Sequence, residues 1–193
     1  MKAIVRILIT AGALAGTAVA AVGAQSDMRS NHTLGKESRL WLEGTSTVRS
    51  FKCTANKMDV AVDAQAGVAA ADMVKSATLN VAVAQLECGN KTMNEHMLKA
   101  LKSKENPQIS WRMTSYRVQG STVEITGKLK IAGKENPIEL RGTGSAENGI
   151  IRFKGSKQFK MTEYGVKPPK LMLGTMKVGD PVTVSFDLVL NPS

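Results

Sequence analysis

The chain of 193 residues offers few side chains able to do chemistry. Its two histidines are His32 and His96, and its two cysteines are Cys53 and Cys88. A nucleophile needs a base beside it, and a metal needs three or four donors at recurring spacing. Neither pattern occurs. There is no HExxH, GxSxG, GxGxxG or phosphate loop, and no CxxC. His32 sits in a polar, irregular stretch. His96 lies between Met93 and Met97 at the border of an apolar stripe, where a boundary residue is expected rather than a base. The carboxylates are scattered without ligand spacing. The expectation is a protein with no catalytic residues, no metal site, no cofactor and no enzymatic step.

The pattern that does recur is apolar and alternating. Between Ser121 and Leu140, Val123, Ile125, Leu129 and Ile131 are separated by Glu124, Thr126, Lys128 and Lys130. A period of two marks a strand with one buried and one wet face. Ala132 to Pro137 reads as a polar turn, after which Ile138 and Leu140 resume the alternation, so the stretch predicts a β-hairpin. The same period recurs in Arg39–Glu43 (with Leu40 and Leu42 opposite Trp41), Val48–Thr54, Lys57–Val62, Ser76–Leu86, Gln108–Arg117 and the run from Val182 to Leu190. Gly44 to Thr47 reads as an interruption and Val178 to Pro181 as a turn. Asn148-Gly149 signals a tight hairpin leading to Ile151 and Phe153. Lys91 to Lys102 changes period: Met93, Met97, Leu98 and Leu101 form the stripe of an amphipathic helix, with Thr92 and Glu95 placed as a capping box.

About eight strands joined by short turns give an antiparallel, all-β fold with one helix. A sandwich and a closed barrel are both compatible; closure removes exposed edges, and about eight strands enclose room for one small ligand.

The first two dozen residues stand apart. Met1-Lys2 and Arg6 precede an Ala-rich apolar run, and Val22-Gly23-Ala24 offers a small-residue cleavage site, the pattern of a secretory signal peptide over 1–24. The run falls short of the roughly 20 residues of a spanning helix. Residues 25–37 read as a flexible lead-in and 38–193 as one domain. The leader carries two cations and no acid, so the formal charge of +10 falls to +8 in the mature chain. The cations are spread along strands, and 4% of residues are aromatic, which argues against nucleic acid. A solvated basic exterior and transient contact with an anionic membrane surface remain. In an oxidising compartment, an even pair suggests a Cys53–Cys88 disulfide; a reactive thiol is the alternative.

Several stretches together resemble the YceI-like family. They are Leu42-Glu43-Gly44-Thr45-Ser46-Thr47-Val48-Arg49-Ser50-Phe51, the helix and Pro-led strand of Lys91 to Trp111, Gly127 to Gly133, Tyr164-Gly165-Val166, and Val178 to Val182. They follow in order over nearly the whole mature chain. Arg49 and Phe51 stand where many relatives carry His, and Trp111 where Phe is common. The resemblance implies a lipocalin-like antiparallel barrel with an interior channel. It also implies binding of a polyisoprenoid, or an isoprenoid quinone, in the bacterial periplasm.

Alternation alone nominates Trp111, Met113, Ile125, Leu129, Phe153, Leu173 and Phe186 as residues lining such an interior. Methionines such as Met58, Met93, Met97 and Met161 suit irregular apolar contents, though each serves equally as core filling. The segment from Met161 to Val178 is a candidate lid. It carries Leu171, Met172 and Leu173 between Lys160, Lys167, Lys170 and Lys177; packing of this loop against the wall is the alternative. The functional expectation is a carrier of an apolar chain. An extracytoplasmic stress-related or structural module with a filled core is the other possibility.

Overall fold

A computed structural model describes residues 32–65, 73–171 and 175–193. The expected signal peptide over 1–24 lies outside the described residues, as do residues 25–31 of the expected lead-in. The strands are β1 (His32–Leu34), β2 (Arg39–Ser46), β3 (Ser50–Ala55), β4 (Asp59–Ala64), β5 (Val74–Ala82), β6 (Leu86–Glu87), β7 (Gln108–Gln119), β8 (Thr122–Ile131), β9 (Lys134–Glu147), β10 (Ile150–Lys160), β11 (Lys170–Leu171) and β12 (Met176–Pro192). The helix α1 spans Lys91–Ala100.

Following hydrogen-bonded neighbours gives β1–β4–β5–β7–β8–β9–β10–β12, and β12 pairs back to β1. This is a closed, antiparallel barrel of eight staves with a single helix; of the two forms the alternation allows it is the barrel, as the family resemblance implies, and not the sandwich. Several staves are broken lines. β12 pairs β1 through Leu190–Pro192 and β2 through Val178–Asp187. β1 and β2 thus share one stave, and β3 and β4 share the next. Eleven strands on eight staves, with β11 off the ring beside β12, explain why the sequence shows more alternating pieces than a barrel needs.

Three local expectations are corrected. His32–Leu34 is no flexible lead-in: it is the strand that closes the ring, with His32 9% exposed and its Nε2 3.0 Å from the Gly149 carbonyl. The stretch Gly44–Thr47 does not interrupt β2, which runs to Ser46. Val178–Pro181 is no turn but a register shift inside β12, between its pairings at Ser46 and Gly44. In each case partners on neighbouring staves hold extended backbone where local turn chemistry would allow a break.

The helix begins two residues earlier than a Thr92 cap would require. Asn90, in extended conformation, is the N-cap, and its side chain accepts from the Met93 amide at 3.0 Å. Asn94 accepts from the Cys88 amide at 2.7 Å. Cys53 and Cys88 form the expected disulfide, 35 residues apart in sequence. It ties the wall at β3 to the residues that lead into α1.

Buried residues fall into three clusters near the two ends. Val62, Ala64 and Leu190 pack with Leu34, Met73 and Ile151 at the end where β1 closes. Ala55, Val81 and Leu86 pack with Met97 and Leu101 of the helix region. Ile131, Tyr164 and Val166 pack with Ala100, Leu101 and Phe159 at the same end. The candidate lid is therefore divided: Tyr164 and Val166 turn inward and are 3% exposed, so this part plugs the barrel end. Residues 172–174, including Leu173, lie outside the described residues.

Candidate functional site: the barrel lumen

Between the end clusters the barrel is hollow. A cavity of about 720 Å³ runs along the lumen, within the roughly 300–1,000 Å³ of small-molecule sites. Strand parity builds its wall. Leu40 and Leu42 come from β2, Phe51 from β3, Leu79 and Val81 from β5, Ile125 and Leu129 from β8, and Val184 and Leu188 from β12. The ten residues of β8 extend roughly 33 Å, which at the usual strand tilt is a lumen about 25 Å tall.

Six of the seven nominated residues, Trp111, Met113, Ile125, Leu129, Phe153 and Phe186, line this cavity. Leu173 is not among the described residues. Trp111, Met113, Ile125, Leu129 and Phe153 point inward yet are only half-buried. Inward side chains keep accessible surface only where the interior is unfilled. Phe153 and Phe186 stack with ring centroids 4.8 Å apart, which narrows the lumen on the β10–β12 side.

Glycine makes room for Trp111. A Cβ on Gly127 would meet the indole Nε1 at 2.4 Å and the Arg112 carbonyl at 2.6 Å, so the ring lies across the neighbouring strand. Its Nε1 is buried and has no hydrogen-bond partner. An unmet buried donor costs about 1–3 kcal/mol. Among the described residues it is the one buried side-chain nitrogen or oxygen left without a partner, on a wall made mainly of aliphatic and aromatic groups.

Of the lining residues that escape the alternation as read from sequence, two bear on the site. A bulge between Met113 and Ser115 shifts β7 by one residue, which turns Tyr116 inward, where its hydroxyl accepts from the Val74 amide at 2.9 Å. The other is Lys157. Ile151, Phe153 and Phe159 face the lumen, so the period of two puts Lys157 on that face, and it does line the cavity. Its charge hid it: a lysine in a strand suggests the wet side.

Lys157 stands beside a gap. β9 and β10 pair only from Gly142↔Gly155 to Glu147↔Ile150. Beyond that point β10 keeps β12 as its partner and β9 keeps β8. Pro137, which has no N–H to offer, lies in the part of β9 that borders the gap. A second cavity of about 460 Å³ occupies this seam, lined by Asn136 to Glu139, Lys157 to Phe159, Glu163 and Tyr164. The Met161–Tyr164 turn closes its lower edge, held where Asn136 donates to the Glu163 carbonyl at 2.8 Å. Asp180, in the β12 register shift, accepts from the Thr162 amide and hydroxyl at 2.9 and 2.7 Å. Those bonds, the hydroxyl first, hold its carboxyl below the usual carboxylate range. Burial pushes the Tyr164 phenol up, with the Glu163 charge adding to it.

His96 lines the helix end of the cavity, and Arg49 reaches over the Met93 sulfur at 3.8 Å. Among the described residues no three His, Cys, Asp or Glu side chains gather as a metal site would require. The arrangement offers enclosure of an apolar body rather than an array for bond making.

Comparison with known proteins agrees with this architecture. The family profile described as YceI-like domain matches residues 27–190. Burkholderia cenocepacia BcnA is similar in structure, with TM-score 0.68 and 22% identity over 79% of this chain and 95% of that one. A polyisoprenoid binding domain from Saccharophagus degradans, implicated in plant cell wall breakdown, has TM-score 0.65 and 12% identity over 86% of this chain and all of its own. The Campylobacter jejuni YCEI protein has TM-score 0.61 and 17% identity over 73% and 84%. Comparison with curated proteins gives no match.

Proposed function

This chain belongs to the YceI-like domain family, and from that premise we propose that it binds a long apolar lipid of the polyisoprenoid or isoprenoid-quinone type in its lumen and catalyses no reaction. The observation that carries this reading is the unfilled apolar cavity of about 720 Å³. Each isoprene unit has five carbons, and burying one contributes on the order of 3 kcal/mol. Association itself costs about 4–15 kcal/mol, so a chain of several units is needed before binding becomes tight. Trp111, Met113, Ile125, Leu129, Phe153 and Phe186 are the proposed contacts. The likeness to a polyisoprenoid binding domain supports the same ligand class.

The disulfide and the leader-like first 24 residues support a periplasmic location. The basic exterior suits transient contact with an anionic membrane surface. A filled structural module is the weaker reading, because half-buried side chains face an open interior.

Native mass spectrometry of the gently purified mature protein tests the proposal. A bound species in the prenyl-lipid mass range, lost on extraction and regained on incubation with a prenyl quinone, is the expected result. A clean unliganded mass in repeated preparations, with failed reconstitution, would overturn it.

A further inference from the structure

The seam between β9 and β10 deepens that reading, on which it depends. Lys157 is a charged side chain that strand parity sends to the inner face, half-buried, on the stretch of β10 that runs from Phe153 to Phe159. It lines both the lumen and the seam cavity, as do Ile138, Phe159 and Tyr164. These four residues therefore form a threshold between the two spaces. On the same strand Lys154 pairs with Asp187 at 3.3 Å. Lys157 has no such carboxylate among the described residues. Glu139 and Glu163 border the seam but stay on its outer, exposed side.

A cation on the wall of an apolar channel, beside an opening about 460 Å³ in volume, is matched by one kind of guest. We propose that the seam is a head-group site, in which the acidic head of a single-chain amphiphile, a carboxylate or a phosphate, sits against Lys157 while its tail lies in the lumen. The gap in the ladder lets the head stay hydrated on its outer side, so the charge need not be carried through the barrel. The aliphatic stem of a lysine can lie along an apolar wall and leave only the ammonium to meet the head. A charge-assisted contact of this kind discriminates against a neutral head that offers no anion.

Three ligands with one tail test this: geranylgeraniol, geranylgeranoic acid and geranylgeranyl monophosphate. They are titrated against the mature protein and its Lys157→Met and Lys160→Met variants by tryptophan emission. Lys160 is exposed on the outer face of the same strand and serves as the control. Expected is binding of the acid, the phosphate or both about tenfold or more tighter than the alcohol. Lys157→Met removes that preference while leaving alcohol binding intact, and Lys160→Met changes nothing. Which acidic ligand is preferred identifies the head. Equal binding of all three heads, or a preference that survives Lys157→Met, overturns the head-group site and leaves the lipid lumen standing. Failure of all three to bind removes the lumen reading and the head-group site together.

Discussion

Removing the disulfide should soften the helix end of the barrel before anything else. Cys53 and Cys88 are 2% and 4% exposed and 35 residues apart. Closing a loop of that size lowers the entropy of the unfolded chain by roughly 13 cal/mol/K, about 4 kcal/mol at 25 °C. Natural domains are stable by about 5–15 kcal/mol, so this is a large share. With a urea slope of about 2 kcal/mol/M, the Cys53→Ala/Cys88→Ala variant should unfold at a midpoint about 2 M lower. The loss should also be local. The backbone ties that remain between β3 and β6 are the pairings Thr54↔Glu87 and Ala55↔Leu86. Amides from 88 to 101 should then exchange with solvent faster than those of β8, in hydrogen-exchange mass spectrometry. A midpoint within about 0.5 M of the parent would refute the loop-entropy argument. Unchanged exchange over α1 would refute the view that the bridge anchors the helix.

Gly127→Val places a branched side chain where even one carbon meets Trp111 and a backbone carbonyl. It should cost about 1–3 kcal/mol in thermal unfolding and shift the tryptophan emission maximum. Met113→Trp adds a ring to the open lumen; melting should be nearly unchanged, while prenyl-chain affinity measured by native mass spectrometry should fall about tenfold or more. Asp180 has a folded pKa below its ordinary 3.8, so its bonds to Thr162 are fully present above that pH and are lost as the pH falls through the lowered value. Asp180→Asn should therefore abolish the acid-dependent loss of protection of the 161–165 amides, read by hydrogen exchange as the pH is lowered below 3.8.

The lining of the lumen was readable from sequence wherever the strand ran without a defect. Ile125 and Leu129 on β8, or Phe153 on β10, follow from counting by two. The count fails at Tyr116, because a bulge adds a residue at a place no local signal marks. It misleads at Lys157, because charge is taken for exposure. It also left out β1: three residues carry no periodicity, and His32–Leu34 becomes a strand only because β12 and β4 offer edges to it.

Alternation and turn chemistry are properties of neighbours along the chain, so the sequence by itself determined an antiparallel, all-β fold with one helix and an apolar inner face, and left sandwich and barrel both open. The even pair of cysteines likewise foretold its bridge. Three things were decided only in three dimensions: the closure through β1, the seam that opens after Gly142 and Gly155, and the empty space between the end clusters. Each depends on how far apart distant strands stand and what fills the distance between them. A sequence specifies which side chains face inward, but the volume they leave unfilled is set by the circumference of the closed ring.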